Sequence, residues 1–251
     1  MCRILAYSGA IDDANGTLRE FRRLAEEGKA PAGESRGHKD GWGIMCYAEG
    51  APKELGRRTG SAIVDELYVN ASKEAARLQP RILLAHLRKA SPGMRISLAN
   101  TQPLQRGPWS FTHNGTIWSP RFRRSSGHSD SVILFERLLE NIQRTSNSDT
   151  IDQRILKQAK QLRSLIVDNP DSKGRTYTSL TFILSDGNSL WALRDYNNDR
   201  DEDYYTMHYL HTANCTLFCQ QTIIPGNWTS MDNKTMAIVD PENNIEIADS
   251  H

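Results

Sequence analysis

The stretch Met1-Cys2-Arg3-Ile4-Leu5-Ala6-Tyr7-Ser8-Gly9 is short, apolar and partly β-branched, and it closes on Ser8-Gly9. That pattern predicts a buried strand over residues 2–8. A rigid strand fixes whatever stands at its head, and here that residue is a cysteine. Removal of Met1 leaves Cys2 as the terminus, with a thiol and a free α-amine on the same residue. An α-amine has an unperturbed pKa of ~7.7–8.0 and a cysteine thiol one of ~8.5. Near neutral pH part of the amine is therefore neutral, and one residue can supply both nucleophile and general base. The plainer reading is that a cysteine near a terminus is a small buried hydrophobe. Polar motifs further along decide between the two.

With 251 residues the chain can bury a sizeable core, and no internal repeat or linker divides it, so a single domain over residues 1–251 is expected. Lysine and arginine total 31 against 30 acidic residues, a net charge of +1. Such a balance gives no electrostatic argument for nucleic acid or an anionic membrane as partner. The basic run Arg121-Phe122-Arg123-Arg124 reads as a solvated loop. No apolar run approaches the ~18 residues of a membrane helix, and the N-terminus lacks the apolar core of a signal peptide. A soluble cytoplasmic protein is expected. Cys2, Cys46, Cys215 and Cys219 are too few for a disulfide scaffold. Cys215 and Cys219 lack a second pair to complete a tetrahedral zinc set, so both read as strand residues and no metal is expected.

Working outward from the first strand, Leu18, Phe21, Leu24 and Ala25 recur at helical spacing over residues 17–26, with Asn15 as the expected cap. A polar loop follows over 28–41, then a strand over 41–47 with its hairpin partner at 53–59. Residues 65–78 read as a helix stopped by Pro80, and 81–88 as an apolar strand with a polar end. Residues 89–107, rich in Ser, Pro, Gly, Asn and Gln, read as one long loop, and loops of that length are often functional. A strand over 109–113 runs into Asn114-Gly115, the commonest hairpin turn. Ser129-Asp130 opens an amphipathic helix that buries Val132, Ile133, Phe135, Leu138 and Leu139, and a second helix covers 151–167. Further strands are expected at 177–184, 189–194, 204–211, 217–221 and 235–239. Strands at both ends with helices between them predict an α+β layered fold with antiparallel sheets.

Four polar motifs carry chemistry. In His86-Leu87-Arg88-Lys89-Ala90-Ser91-Pro92-Gly93 a strand delivers an arginine into a loop, where its planar fork can grip a carboxylate. In His113-Asn114-Gly115 the Asn114 amide and the Gly115 N–H can form an oxyanion hole, as an alternative to a plain hairpin. In Gly127-His128-Ser129-Asp130 the carboxylate can accept from a substrate ammonium, or simply favour the helix start. Lys39-Asp40-Gly41-Trp42-Gly43 suggests close backbone approach beside a flat wall, or a core tryptophan at a strand start.

Taken in order, Cys2, DGWG, H-x-R-x-A-S-x-G, N-T-x-P, HNG and S-D at a helix start resemble the class II glutamine amidotransferases, which are N-terminal-nucleophile hydrolases. The resemblance runs from residue 2 to about residue 140, is nearest to the stand-alone members, and extends through Ile224-Pro225-Gly226-Asn227-Trp228 toward the end of the chain. It implies a four-layer αββα sandwich of two antiparallel sheets. It also implies Cys2 as the nucleophile with its own α-amine as base, Asn114 and Gly115 as the oxyanion hole, Arg88 as clamp for the α-carboxylate, and Asp130 as acceptor for the α-ammonium. Ser91 matches a family hydroxyl near the substrate. The substrate implied is L-glutamine or another γ-glutamyl amide, and no cofactor is required. The chain has no room for a synthase domain, so ammonia is released or passed to a separate partner.

Two departures stand out. The family's Asn-x-His-Pro reads Asn100-Thr101-Gln102-Pro103, and Cys219-Gln220-Gln221-Thr222 stands where related proteins carry a Ser-Glu-Pro-like segment. A γ-glutamyl hydrolase acting on a larger substrate would use the same residues, and a non-catalytic regulatory subunit with this fold is the non-enzymatic alternative. A Cys-His hydrolase using His86, His113 or His128 is a third. Homo-oligomerisation is left open.

Overall fold

A computed structural model of the protein describes residues 2–91, 93–123, 127–144 and 148–251. The retention or removal of Met1 lies outside the described residues. In chain order the elements are β1 (Arg3–Gly9), α1 (Ala14–Glu27), β2 (Gly41–Ala48), β3 (Ala51–Arg58), α2 (Glu66–Leu78) and β4 (Ile82–Arg88). Next come β5 (Leu104–Arg106), β6 (Trp109–Asn114), α3 (Asp130–Arg144), α4 (Ile151–Val167), β7 (Thr181–Ser185) and β8 (Leu190–Arg194). The chain finishes with α5 (Glu202–Tyr205), β9 (His208–His211), β10 (Cys215–Cys219), β11 (Thr229–Ser230), β12 (Thr235–Val239) and β13 (Ile245–Asp249).

The strands form two antiparallel sheets, ordered β11-β9-β10-β1-β4-β2-β3 and β13-β12-β8-β7-β6-β5. Strand β1 lies inside the first sheet and is covered on both faces, which is why its sequence is a continuous apolar run rather than an alternation. Leu5 and Tyr7 face Leu18, Phe21 and Tyr68 from the helix layer of α1 and α2. Ile4 and Ala6 face Ile183, Ala192 and Ala237 of the second sheet. On the far side Phe111, Phe182 and Trp191 meet Ile133, Phe135, Leu138 and Leu162 of α3 and α4. The layers are therefore helix, sheet, sheet, helix, as expected.

The helices begin where side chains satisfy their free N–H groups. Asp65 caps α2 at Leu67 N (3.0 Å), and Thr150 with Gln153 forms a capping box on α4. The α1 cap is Asp13, accepting from Gly16 N at 2.7 Å, so the helix starts earlier than an Asn15 cap would allow. Strand β7 starts at Thr181, and Tyr177 and Ser179 make only isolated bridges to Ile117 and Tyr196. Residues 204 and 205 are not strand: Tyr204 and Tyr205 sit in the short helix α5, and only His208–His211 is extended. Aromatic residues favour strands, but here the guanidinium of Arg3 stacks 4.1 Å from the Tyr204 ring and tertiary contact decides. Strands β5, β11 and β13 add edges that the sequence pattern did not show. Among the described residues no helix is long and apolar enough to cross a membrane.

Candidate active site

Residues on β1 and β4 alternate between the helix layer and the inter-sheet layer. Toward one end of the inter-sheet layer the apolar side chains give way to Cys2, Arg88, His86 and Asn114. Register explains the grouping: Arg3 pairs with Leu87 and Gly41 with Arg88, so the head of β1 meets the end of β4. Asp40 then pins the exit of β4, its Oδ2 accepting from Ala90 N at 2.8 Å and its own N–H donating to the Arg88 carbonyl at 2.9 Å. Trp42 instead points into the helix layer, packs edge-on against Tyr68 and donates to Asp65 at 2.8 Å. It is a core tryptophan, not a wall of the site. Gly43 is needed because a Cβ there would stand 2.3 Å from the Gln102 carbonyl oxygen.

Cys2 N donates to Asn114 Oδ1 at 2.7 Å, and Cys2 Sγ stands 3.9 Å from the Lys89 carbonyl oxygen. Because Oδ1 faces a donor, the Asn114 amide nitrogen points the other way, donating to Gln220 Oε1 at 3.0 Å. An amide NH2 carries two hydrogens, so one remains for a ligand. Gly115 N–H donates to none of the described groups. Asn114-Gly115 is not a hairpin turn: the chain continues to Ile117, which bridges Tyr177, and a Cβ on Gly115 would stand 1.8 Å from the Ser179 carbonyl oxygen.

Arg88 is buried, its Nη2 donates to the Arg95 carbonyl at 3.1 Å, and its Nη1 has no partner. Among the described residues no carboxylate pairs with it. A buried guanidinium without a counter-charge is expensive unless a ligand supplies one. Asp130 heads α3, with Oδ2 accepting from Ile117 N at 2.5 Å and Oδ1 from Ser131 N at 3.0 Å. Ser91 Oγ lies 3.1 Å from Thr116 Oγ1. Ser91, Thr116 and Asp130 line one cavity of about 760 Å³, which Arg95 and Ala90 also line; Cys2, Arg88 and Asn114 do not line it, and Cys2 Sγ stands by the carbonyl of Lys89, the residue before Ala90.

The expected loop over 89–107 holds strand β5, and the residues just before it, 97–103, serve as a brace. Asn100 is buried, accepts from Ser129 N at 2.8 Å and donates to the Gly127 carbonyl at 3.0 Å, setting the approach to Asp130. Gln102, standing where the family motif has histidine, accepts from His113 N at 2.6 Å and donates to His113 O at 3.3 Å. Its side chain thus extends the β5–β6 ladder by one pair beyond Leu104 and Phe111.

Residues the sequence reading did not place complete the surroundings. Tyr204 Oη donates to the Cys2 carbonyl at 2.9 Å, and burial pushes its pKa well above the usual value, keeping it a donor. Arg3 is fully buried, with no carboxylate bonded to it among the described residues, and donates to the carbonyls of Tyr204 and Lys29, both at 2.8 Å. Desolvation lowers its pKa. Gln220 is buried with its Nε2 unpaired. The departure from a Ser-Glu-Pro-like segment was the one signal that pointed at Gln220; nothing pointed at Tyr204. The hydrogen-bond partner of the Cys2 thiol is the Lys89 carbonyl, not a histidine. His113 is tied to Ser131 Oγ (2.9 Å) and the Ser179 carbonyl (3.1 Å) and faces the α3 side. His86 is fully buried, and desolvation with the nearby Arg88 charge drives its pKa well down.

Two facing antiparallel sheets between helix layers, as built here around Cys2 and Asn114, define a fold of the N-terminal-nucleophile hydrolase type. The chain belongs to the class II glutamine amidotransferases, a family of enzymes: the family model "Glutamine amidotransferases class-II" matches residues 1–239. A glutamine aminotransferase class-II domain protein from Silicibacter pomeroyi has the same fold, with a TM-score of 0.64 at 16% identity over 99% of both chains. An allosteric regulatory enzyme of purine biosynthesis shares it at a TM-score of 0.69 and 14% identity, over all of this chain and 49% of that one. A gamma-glutamyl-hercynylcysteine sulfoxide hydrolase from Mycobacterium tuberculosis is 30% identical over 120 residues, 47% of this chain and 50% of that protein. The match thus spans about half the length of that curated relative.

Proposed function

We infer that the protein is an amidohydrolase that uses Cys2 to cleave the side-chain amide of L-glutamine or a related γ-glutamyl amide. The observation that supports this most is the pairing of Cys2 N with Asn114 Oδ1 at 2.7 Å, beside a buried Arg88 without a counter-charge. After removal of Met1 the Cys2 α-amine takes the thiol proton, and Sγ bonds to the γ-carbonyl carbon. The resulting oxyanion is met by the second hydrogen of the Asn114 amide and by Gly115 N–H. The α-ammonium passes its proton to the leaving nitrogen as the C–N bond breaks. Water then attacks the γ-glutamyl thioester, gives a proton to the α-amine, and releases L-glutamate and free Cys2. Arg88 holds the α-carboxylate, Asp130 the α-ammonium, and Ser91 adds a hydroxyl. No step needs a metal or cofactor. With glutamine as substrate, ammonia is released or taken by a separate partner.

A second reading, hydrolysis of a larger γ-glutamyl amide, is favoured by cavity size. The volume of about 760 Å³ lies within the range of roughly 300–1,000 Å³ that holds ligands of drug size. The M. tuberculosis relative, named as a hydrolase of a large γ-glutamyl compound, is in keeping with it.

The test is labelling with 6-diazo-5-oxo-L-norleucine at pH 8 and intact-mass analysis. The other thiols stay protonated there, because burial pushes Cys46 up to about 11 and Cys215 and Cys219 to about 12. A chain lacking Met1 with one adduct, on Cys2, is expected. Full turnover by Cys2→Ala would overturn the mechanism, and retention of Met1 would favour a non-catalytic role.

A further inference from the structure

The cavity is lined by three arginines, Arg95, Arg123 and Arg175, and by Trp118 and Phe122. Their charges are not equally available. Arg175 is committed to Asp171 at 2.7 Å and lies over Trp118 at 4.8 Å, and Glu34 is held by Lys89 at 3.0 Å. Arg95 and Arg123 are exposed, and neither side chain has a hydrogen bond or ion pair among the described residues. Asp130 is the remaining carboxylate of the lining. With Asp130 and Arg88 given to the two α-charges of the glutamyl group, the cavity has an excess of cations beside the half-buried indole of Trp118.

We propose, building on the γ-glutamyl amidohydrolase reading, that the substrate's amine half carries a planar ring and a negatively charged group, its ring against Trp118 and its charge met by Arg95 and Arg123. Because Arg88 and Asp130 occupy both α-groups, this half is joined through the γ-nitrogen and leaves as the free amine. The reaction is hydrolysis: the γ-carbonyl C–N bond breaks, water supplies the hydroxyl of L-glutamate, and its hydrogen goes to the amine. A neutral or cationic amine would face two unpaired guanidinium groups and gain nothing from them.

The experiment compares kcat/KM for γ-L-glutamyl-4-aminobenzoate, γ-L-glutamyl anilide and L-glutamine. A charge-assisted contact predicts the carboxylate over the anilide by at least about tenfold. In the double variant Arg95→Glu/Arg123→Glu that ratio is expected to fall below one. Equal rates on carboxylate and anilide, or a preference that survives the double variant, would overturn this proposal and leave the amidohydrolase standing. Failure to hydrolyse all three, with Cys2 also unlabelled by the glutamine analogue, would overturn the underlying reading instead.

Discussion

Asn114 answers to two neighbours at once. Its carbonyl oxygen takes the Cys2 N–H and its amide nitrogen reaches Gln220, so the orientation of the amide is set from behind by a buried glutamine. Removing that acceptor should leave the fold intact and the amide free to turn. Gln220→Ala is therefore expected to lower kcat by about tenfold, the worth of one buried hydrogen bond. Gln220→Glu, which keeps an acceptor, should retain most of the activity. Equal loss in both variants under steady-state assay would show that Gln220 does not act through Asn114. At this scale Cys2, Arg88, Ser91, Asn114, Gly115 and Asp130 were singled out as candidates because each stands in a short motif, and the structure puts Cys2 N against Asn114 Oδ1. Gln220 and Tyr204 were not, because they reach the site through sheet pairing and a helical turn that leave no local pattern.

Strand β4 delivers Arg88 to the site and buries His86 one residue pair deeper, with both ring nitrogens unpartnered. An imidazole so placed stays neutral in the folded protein but takes a proton near its ordinary value of 6.5 when unfolded. Its folded-state pKa is depressed, so the unfolded chain binds more protons, and stability falls as pH drops below about 6.5. His86→Leu removes that linkage. The variant's urea midpoint should fall less than the wild type's between pH 7 and pH 5, and identical falls would place the acid sensitivity elsewhere. Helices α2 and α4 were readable to within a residue, since caps and periodicity are local. Helix α5 was misread because two adjacent tyrosines look like strand until Arg3 is packed on one of them.

Across the whole molecule an α+β layered fold was predictable from patterning and its four layers from the family resemblance, while the pairing of distant segments was not. One such tie joins α4 to the chain end. Arg163 bonds Asp195 and both the carbonyl and hydroxyl of Ser250, and the fully buried Asp195 carboxylate also accepts from Tyr177 Oη. Arg163→Met would leave a buried carboxylate without its cation, a loss of about 3–5 kcal/mol by chemical denaturation. Arg163→Met/Asp195→Asn should recover much of it; no recovery would mean that the Ser250 contacts carry the loss. A longer-range consequence follows from the place of β1. Its neighbours are β4 and β10, and β10 is not made until residue 219. Until the segment that pairs Leu5 with Cys219 has formed, β1 has only β4 beside it, so the position of Cys2 at its head depends on two strands far apart in sequence.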